Sequence, residues 1–360
     1  MGEPGVDVAA VRRALAELGQ EPAGELALRR VGLGQSNLTY RVTDERDGVW
    51  VLRRPPLGEL LESAHDVLRE ARILTALTGT GVPVPKVYGV LEPGVVGVDA
   101  APAVVMSWID GTVVDRMPVA HGLAPGSRRE IALSLVRTLA EVHRVDLVAT
   151  GLDGLATHKP YAPRQLRRWS TQWERSRTAG LPEVDALTTR LRAALPDERE
   201  TTLVHGDFHL RNMITSAGRV VAVLDWELST LGHPLADLGS LLAYWAEPGE
   251  QGLDGFLPST LEGFPSRAEL VAEYAAASGR DVTDIDFWHA LGLWKLAIIA
   301  QGVLRRATDD PRNRAAEGTP TPEGIAAVVA RAHAVADAAR LGPAPSTAGA
   351  SPARHRGIRT

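Results

Sequence analysis

The sequence predicts an α+β fold in two lobes, a β-rich N-lobe followed by a mainly helical C-lobe. Short strand-like runs separated by turn residues occupy most of residues 26–109. Beyond Gly111, apolar residues recur at helical spacing over long stretches. We therefore place the N-lobe at residues 1–109 and the C-lobe at residues 110–340, and we predict that residues 341–360, rich in Pro, Ala, Gly and Ser, form a disordered tail.

The N-lobe is predicted to contain one five-stranded sheet and two helices. Residues 6–19 carry apolar side chains at helical spacing and end at Gly19, which predicts a short helix. A second helix is predicted at residues 63–77. The strand-like runs that make up the sheet are residues 26–33, 37–43, 49–54, 87–91 and 103–109.

The C-lobe is predicted to be helical except around one polar loop. Its helical patterns cover residues 128–143, 163–179, 266–277, 286–307 and 322–341. Its strand-like segments are residues 202–205, 213–215 and 220–226. Because these segments enclose the most polar loop of the chain, we expect the chemistry there.

Composition narrows the class of partner. A net charge of −5 and a pI near 6.1 argue against a nucleic-acid binder, whose phosphate contacts need an excess of basic residues. The chain has no cysteine, so disulfides and thiolate metal sites are excluded. The N-terminus has no signal-peptide core, and no uninterrupted apolar run approaches a membrane span. We expect a cytoplasmic protein whose partner is a small molecule, not a nucleic acid or a membrane.

The polar loop carries the residues that phosphoryl transfer requires. Asp207 lies five positions before Asn212, and Asp225 follows on the predicted strand 220–226 after a short hairpin turn. Phosphoryl transfer needs a carboxylate that orients and deprotonates the acceptor hydroxyl, together with oxygen ligands for Mg²⁺. The spacing predicts Asp207 as the base and Asn212 and Asp225 as the magnesium ligands. Asp237, further along, is assigned a structural role as a capping or loop-bracing carboxylate.

Several segments together resemble the aminoglycoside phosphotransferase family: GQSNLTY, VLRRPP, SAHDVLREARIL, GVPVPKVYG, AEVHRVDL, LVHGDFHLRNMI and LDWELSTLGHPLADLGSLLAYW. They look like the branch that includes phosphotransferase domains found beside acyl-CoA dehydrogenases, and the resemblance covers residues 25–300. It implies a protein-kinase-like bilobal fold with ATP and Mg²⁺ as cofactors. It also implies Asp207 as the catalytic base, Asn212 and Asp225 as magnesium ligands, Glu227 as a carboxylate on or near the metal, and His205 as a support of the loop.

The resemblance also implies that the N-lobe binds the nucleotide. Alignment of the third strand with a kinase strand places Val51 against adenine and Arg53 where a phosphate-binding lysine is expected. This arginine departs from the family pattern, because its planar fork is not equivalent to an ammonium group. Glu70 is the predicted ion-pair partner of Arg53, and Asp66, one turn earlier, is a competing candidate. The remaining nucleotide contacts are predicted in the first turn and at the end of the fifth strand: Gly34, Gln35, Ser36, Met106 and Trp108.

Two other functions use the same residues. His205, Asp207 and His209 alternate along the chain and, with His233 or Asp225, would form a hydrolytic metal site. That hypothesis leaves the spacing from Asp207 to Asn212 unexplained. The second alternative is a nucleotide-binding pseudoenzyme, which Arg53 suggests and which the complete Asp207, Asn212 and Asp225 set argues against.

The acceptor is the least determined part. The predicted helix at 163–179 places Arg164 and Arg168 on one side and Trp169 and Trp173 one turn apart, which would suit an anionic, partly apolar ligand or equally a solvated face with buried tryptophans. Residues 247–286 hold nine acidic side chains and two arginines, which would suit a polycationic aminoglycoside or a solvated face. The resemblance favours a hydroxyacyl compound or another hydroxylated metabolite, with aminoglycoside or macrolide antibiotics as rivals.

Overall fold

The computed structural model of the chain describes residues 6–32, 37–55, 67–96, 101–177, 181–253, 255–309 and 319–342. The predicted nucleotide contacts at Gly34, Gln35 and Ser36 lie outside the described residues. So do the start of the second predicted helix and the tail from residue 343.

The five strands predicted in the first part of the chain form one antiparallel sheet in the order β1-β2-β3-β5-β4. Their bounds are β1 (Ala27–Val31), β2 (Leu38–Thr43), β3 (Val49–Arg54), β4 (Val87–Leu91) and β5 (Ala103–Ser107). Helix α1 (Val8–Glu17) packs on one face through Val11 and Leu15, and the side chain of Asp7 caps its first turn. Helix α2 (Val67–Leu77) packs against β4 and β5.

The alternation of β3 determines which side chains reach the space between the lobes. Trp50 and Leu52 belong to the buried cluster under α1. Val51 and Arg53, which alternate with them, therefore point to the opposite face. Val51 pairs with Met106 across the β3–β5 ladder, so the two predicted adenine contacts are neighbours.

The second half of the chain is mainly helical. Its helices are α3 (Met117–Gly122), α4 (Pro125–Val142), α5 (Tyr161–Ser176), α6 (Pro182–Ala193), α7 (Leu235–Tyr244), α8 (Arg267–Ser278), α9 (Ile285–Asp309) and α10 (Pro322–Ala338). Helix α9 is central and packs against α5, α6, α7 and α10. Helices α7 and α9 cross where Gly239 meets Trp288, because a Cβ on Gly239 would lie 2.3 Å from the Trp288 carbonyl oxygen.

The sequence prediction missed α3, α6, α7 and the strand at residues 230–232, and it misplaced one strand end. The short strands of this half are β6 (Thr202–Val204), β7 (Met213–Ser216), β8 (Arg219–Val223) and β9 (Thr230–Gly232). Because β8 ends at Val223, the prediction that Asp225 lies on a strand was wrong. Asp225 has left-handed backbone angles, φ 65° and ψ 64°, and begins a 3₁₀ turn at residues 226–228. Residues 220–224 are continuously apolar, and this pattern predicts a longer strand without indicating the turn that follows.

Among the described helices, α9 alone is long and apolar enough to cross a membrane by length and composition, with a mean hydropathy of 1.3. The sequence analysis did not predict such a helix. In the structure, 72% of its apolar window is buried against neighbouring elements. A core helix of a folded domain meets the same test.

Candidate active site

A buried carboxylate holds the polar loop that follows β6. Asp237, on the first turn of α7, accepts hydrogen bonds from the backbone N–H of His205 at 2.6 Å and of Gly206 at 2.8 Å. His143 Nε2 donates to Asp237 Oδ2 at 3.3 Å, and the hydroxyl of Tyr274 lies 2.7 Å from His143 Nδ1. Burial disfavours the charged form of both groups and lowers the pKa of His143. For Asp237, burial is the largest single effect and would raise the pKa, but the interactions with His143, His205 and the Gly206 N–H together outweigh it and lower the pKa of the carboxyl. The loop-bracing role predicted for Asp237 is confirmed.

The backbone between Asp237 and the catalytic loop requires a glycine. Gly206 has φ +87°, and a Cβ there would lie 2.6 Å from the carbonyl oxygen of Leu228. Only glycine adopts this conformation in so little space without strain. The His-Gly-Asp order of residues 205–207 therefore has a steric cause.

His205 ties the loop to the segment that carries Asp225. Its Nδ1 accepts from the backbone N–H of Asp207 at 3.2 Å, and its Nε2 donates to the carbonyl oxygen of Leu224 at 2.9 Å. Both ring nitrogens are therefore engaged by the backbone. The predicted support role of His205 agrees with these contacts, whereas a metal-ligand role would require breaking one of them.

Asp207 follows His205 and Gly206 in this loop, and its carboxylate has polar neighbours on several sides. Its Oδ2 is 3.2 Å from His209 Nε2 and 3.2 Å from Asn212 Nδ2, and its Oδ1 accepts from the hydroxyl of Tyr244 at 3.3 Å. Burial alone would raise the pKa of Asp207, but His209 and the ammonium group of Lys295 more than offset burial and lower it. The carboxylate is therefore ionised at neutral pH and can accept a proton or a hydrogen bond from a hydroxyl group.

The hairpin of β7 and β8 brings the two predicted magnesium ligands together. Met213 pairs with Val223, and the N–H of Leu224 donates to the carbonyl oxygen of Asn212 at 2.8 Å. Asn212 Nδ2 also donates to the Asp207 carbonyl oxygen at 2.9 Å, which leaves the amide oxygen for a cation. A carboxylate and an amide oxygen suit Mg²⁺, which takes few protein ligands and fills its other positions with phosphate oxygens and water.

Arg53 joins the sheet to this hairpin. Its Nε donates to Glu70 Oε2 at 2.7 Å, its Nη2 to Asp225 Oδ1 at 3.1 Å and its Nη1 to Thr39 Oγ1 at 3.1 Å. Burial raises the pKa of Glu70 and Arg53 partly offsets this effect. The predicted Arg53–Glu70 ion pair is confirmed. The guanidinium group also reaches Asp225, a contact that was not predicted.

Glu227 is a second carboxylate close to Asp225. Asn37 Nδ2 lies 3.4 Å from its Oε2. Burial first, and then the negative charge of Asp225, raise the pKa of Glu227 to about 7. A carboxylate whose charge is disfavoured in this way is stabilised when a cation arrives.

A cleft of about 340 Å³ connects these groups to the sheet. Val51, Met106 and Trp108 line it from the sheet side, and Ile214 and Val223 line it from the hairpin side. Arg53, Glu70, Asn212 and Asp225 line its polar end. An apolar slot that ends in a cation and a metal-ligand pair suits a flat aromatic base followed by phosphate groups.

The structure does not assemble the alternative metal site. Among the described residues, no group of three or more His, Cys, Asp or Glu side chains is arranged to hold a metal ion. His205 is engaged at both ring nitrogens, and His233 stacks on Trp288 with ring centroids 4.8 Å apart. The Asn212 and Asp225 pair is a different kind of site, since one ligand is an amide.

The predicted acceptor residues separate into two groups. Arg164, Arg168 and Trp169 line a groove between α5 and α9. Trp173 is buried, 2% exposed, and its Nε1 donates to Asp185 Oδ1 at 3.1 Å. The assignment of Trp173 to an acceptor site was therefore wrong, because the face of α5 that carries it packs into the core.

Four of the nine acidic side chains in the segment 247–286 are paired with arginines. Glu247 and Glu250 contact Arg267, and Glu250 also contacts Arg331. Glu269 and Glu273 likewise pair with arginines of α4. Part of the negative charge that would attract a polycation is therefore neutralised within the fold.

Sequence reasoning missed several contacts of the site. Lys295 Nζ donates to the carbonyl oxygen of Gly206 at 2.5 Å, and Tyr244, Thr39 and Asn37 contact the carboxylates or the arginine. A lone lysine within an apolar helix is the one signal that would have drawn attention to Lys295. The other three lie in ordinary strand, helix or turn patterns.

Comparison with known proteins agrees with this geometry. The model of the phosphotransferase enzyme family matches residues 27–290. Mouse acyl-CoA dehydrogenase family member 10 is 38% identical over 300 residues, which are 81% of this chain but 27% of that protein. The chain thus spans about a quarter of that relative's length.

Two solved structures share the fold. A Ralstonia eutropha protein, described as a candidate aminoglycoside phosphotransferase, is 31% identical with a TM-score of 0.73 and covers 94% of this chain and 100% of its own. An aminoglycoside phosphotransferase in ternary complex with AMP-PNP and hygromycin B has a TM-score of 0.60 at 14% identity and covers 91% of this chain and 98% of its own. The second likeness concerns the fold alone. With its sheet-rich and helical lobes, its Asp207 loop and the family match over residues 27–290, the chain belongs to the phosphotransferase enzyme family.

Proposed function

We propose that this phosphotransferase is ATP- and Mg²⁺-dependent and transfers the γ-phosphate to a hydroxyl group of a small molecule. The observation that carries the proposal is the meeting of Asp207, Asn212 and Asp225 beneath a cleft whose other wall bears the Arg53–Glu70 pair. Each of these groups has a role in phosphoryl transfer that its chemistry explains.

Asp207 acts on the acceptor. Its ionised carboxylate accepts a hydrogen bond from the acceptor hydroxyl, orients the oxygen toward the phosphorus and takes the proton as the new P–O bond forms. Tyr244 and His209 hold the carboxylate in one orientation through its two oxygens. Lys295 offsets part of the negative charge of Asp207, because its ammonium group is held beside the loop by a hydrogen bond to the Gly206 carbonyl.

Asn212, Asp225 and Glu227 provide oxygen atoms for the metal, and Arg53 lies where it can leave Asp225 for a phosphate oxygen. Bound Mg²⁺ would supply charge neutralisation on the triphosphate. The apolar slot formed by Val51, Met106 and Trp108 would hold adenine.

A hydroxyacyl compound is the acceptor that we favour. The matched relative is named for acyl-CoA chemistry, and this chain corresponds to a segment of it. The acidic surface that would favour a polycationic antibiotic is paired in part with arginines, as described above. The groove at Arg164, Arg168 and Trp169 instead suits an anionic acceptor.

ADP release with Mg-ATP tests the proposal on two acceptor panels, hydroxyacyl-CoA thioesters on one side and aminoglycosides and macrolides on the other. We expect turnover on the thioesters. Asp207→Asn should reduce it by at least about 10³-fold, because the base is lost, and should leave ATP affinity nearly unchanged. The conservative substitution keeps the size of the side chain.

The outcomes separate the alternatives. Turnover on the antibiotics alone would overturn the favoured acceptor. Tight ATP binding without turnover on either panel would indicate a pseudoenzyme. Hydrolysis that needs zinc or manganese but no nucleotide would indicate the metal-dependent hydrolase, and an Asp207→Asn variant with full transfer activity would remove Asp207 from its role.

A further inference from the structure

A second and larger cavity lies between α5 and α9, within the helical lobe. It encloses about 740 Å³, and we call it the arginine groove. Guanidinium groups dominate its lining, with a smaller aromatic and aliphatic part. The lining includes Arg164, Arg167, Arg168, Arg175 and Arg306 together with Trp169, Ile298, Ile299 and Gly302. No acidic residue of the described chain lines it.

The charge of this groove contrasts with that of the whole chain, whose formal net charge is −5. Several arginines elsewhere on the molecule are paired: Arg129, Arg137 and Arg267 each contact a carboxylate. The side chains of Arg168 and Arg175 contact no carboxylate of the described residues. Adjacent positive charges without counterions repel one another, so the groove is poised for an anion.

Part of the groove is already ordered. Arg164 Nη2 donates to the carbonyl oxygen of Leu231 at 2.6 Å, and its Nε lies 3.1 Å from the carbonyl oxygen of Lys159. The guanidinium of Arg168 lies 5.4 Å from the ring centroid of Trp169. A fixed arginine beside an aromatic face suits a ligand that carries both phosphate and a planar ring.

The groove is connected to the catalytic loop through one aromatic ring. Trp169 lines the groove and also contacts Lys295, whose Nζ is 5.5 Å from the ring centroid. That same Nζ donates to the carbonyl oxygen of Gly206, the residue before Asp207. A ligand in the groove therefore lies two side chains from the catalytic carboxylate, on the helical side of the molecule.

From this placement we propose that the arginine groove binds the phosphate groups of an acceptor that carries several of them, and so holds its hydroxyl end near Asp207. The proposal rests on the proposed function, since it assigns a site for the acceptor of that reaction. Guanidinium forks match phosphate oxygens in pairs, and several arginines in one cavity exceed what a single carboxylate would need. The volume of the groove also exceeds that of a single small anion.

Binding of coenzyme A is the first test, because this probe carries several phosphates and an adenine ring and can be measured without turnover. The variant Arg168→Glu with Arg175→Glu should raise its Kd at least about tenfold in calorimetry. Arg13→Glu with Arg46→Glu makes the same change in net charge at exposed positions of α1 and the β2–β3 turn and should change Kd less than about twofold. Equal losses in both variants would overturn the proposal, because only overall charge would matter.

A neutral substitution tests the same site by volume. A Cβ on Gly302 would lie 3.7 Å from Arg306 Nη1 and 3.8 Å from Gln172 Nε2, so Gly302→Ala should fit and leave Kd within about twofold. Gly302→Leu would extend further into the groove and should weaken coenzyme A binding at least about tenfold. Unchanged binding by a folded Gly302→Leu variant would place the ligand elsewhere.

Kinetics distinguish an acceptor from a free regulatory anion. We compare a hydroxyacyl-CoA thioester with the N-acetylcysteamine thioester of the same chain, which has no phosphate. Wild-type KM should be at least about tenfold lower for the first, and Arg168→Glu with Arg175→Glu should abolish that difference. With free Mg²⁺ held constant and Mg-ATP at saturation, so that the nucleotide site is occupied, tripolyphosphate should inhibit only the reaction of the first thioester.

Tripolyphosphate that altered turnover of both thioesters equally would assign the groove to a regulatory anion and overturn the acceptor role. If no acceptor is phosphorylated at all, the proposed function fails, but the binding measurements still decide whether the groove takes phosphate groups. Coenzyme A binding that is insensitive to the groove variants, in an enzyme that phosphorylates small molecules, would refute the groove alone.

Discussion

The catalytic loop and the opposite wall of the cleft are held in place by different means. The loop is fixed by Asp237, which is fully buried and bonded to two backbone N–H groups and to His143. The wall is held by Arg53, whose guanidinium group is shared among Glu70, Asp225 and Thr39 at the edge of an open cleft. A buried network fixes geometry without any ligand, whereas charges at a cleft can exchange partners when a ligand arrives.

The carboxylates of the two regions differ in how far the fold itself stabilises their negative charge. Hydrogen bonds from His143 and the backbone outweigh burial and lower the pKa of Asp237. Glu227, with burial and a neighbouring negative charge, has its pKa raised to about 7. The first carboxylate already has the donors that stabilise its charge, whereas at the second the positive charge of Arg53 only partly offsets burial and the charge of Asp225. We infer that the loop reaches its working geometry on folding, whereas the wall reaches it only when a ligand binds.

The largest effect should follow from removing the proposed metal ligand Asp225. Asp225→Ala should reduce transfer by about 10³-fold and abolish the dependence of ATP binding on Mg²⁺, because a metal ion contributes several kcal/mol to phosphoryl transfer. Calorimetric titration of ATP with and without Mg²⁺, alongside kcat/KM, measures both effects. Asp207→Asn is the matched control, since it should retain the Mg²⁺ dependence. An Asp225→Ala variant that still binds Mg-ATP more tightly than ATP would contradict the assignment.

A large loss of stability should follow from Asp237→Asn. The substitution replaces one carboxylate oxygen by an NH₂ group, which cannot accept the hydrogen bond from the donor that faces it. The negative charge opposite His143 is also lost. Breaking such a buried network costs about 3 kcal/mol in the free energy of unfolding. Urea unfolding measures it, and Asp153→Asn at an exposed loop position is the control, with an expected change below about 0.5 kcal/mol.

Equal stability of the two variants would show that the loop does not depend on this carboxylate. A stable Asp237→Asn protein with intact activity would remove the contrast between the loop and the wall.

The sequence was sufficient to predict the loop, the sheet and the ion pair between Arg53 and Glu70. Asp207 and Asn212 are close in the chain, so their spacing predicts their contact directly, and alternation along β3 predicts which face carries Arg53. The prediction that Asp225 lies near Asn212 agrees with the structure, but the strand that was predicted to carry Asp225 ends at Val223. Its left-handed backbone after β8 follows from packing of residues 226–228 against α2, which no local pattern encodes.

The contacts that depend on distant elements could not be predicted. Tyr244 and Lys295 reach the catalytic loop because α7 and α9 cross at Gly239, and that crossing follows from tertiary packing. Trp173 was assigned to the wrong face of α5 for a related reason. Helical spacing identifies which residues share a face, but not which face the neighbouring helices cover.

A moderate effect should appear in the pH dependence of Mg-ATP binding. Glu227 is protonated below about pH 7 and ionised above it, since its pKa is raised from the ordinary 4.5 to about 7. If the metal complex needs the ionised form, affinity should rise about tenfold from pH 6 to pH 8. Glu227→Gln, measured in the same buffers, removes the contribution of this side chain and leaves the pH dependence of the nucleotide itself.

Without ligand, the same raised pKa of Glu227 predicts that stability falls as the pH rises, which is opposite to the trend in Mg-ATP affinity. Because the folded pKa lies above the unfolded value, the contribution of Glu227 to the free energy of unfolding is present at low pH and is lost as the pH rises through about 7. Saturating Mg-ATP should reverse this loss in the wild type. Identical pH profiles of the wild type and Glu227→Gln would exclude Glu227 from the metal site.

The smallest effect should come from Arg53→Lys, which tests whether the wall depends on charge or on the shape of the arginine. Lysine keeps the positive charge beside Glu70 but cannot contact Glu70, Asp225 and Thr39 together, as the three donors of Arg53 do. If the wall is completed by the ligand, losing the tie to Asp225 matters little once Mg-ATP is bound, and KM for ATP should rise only about threefold. Arg53→Met, of similar length without charge, should raise it far more. If lysine proved as damaging as methionine, the fork itself would be needed, and the wall would resemble the loop in depending on geometry set by the fold.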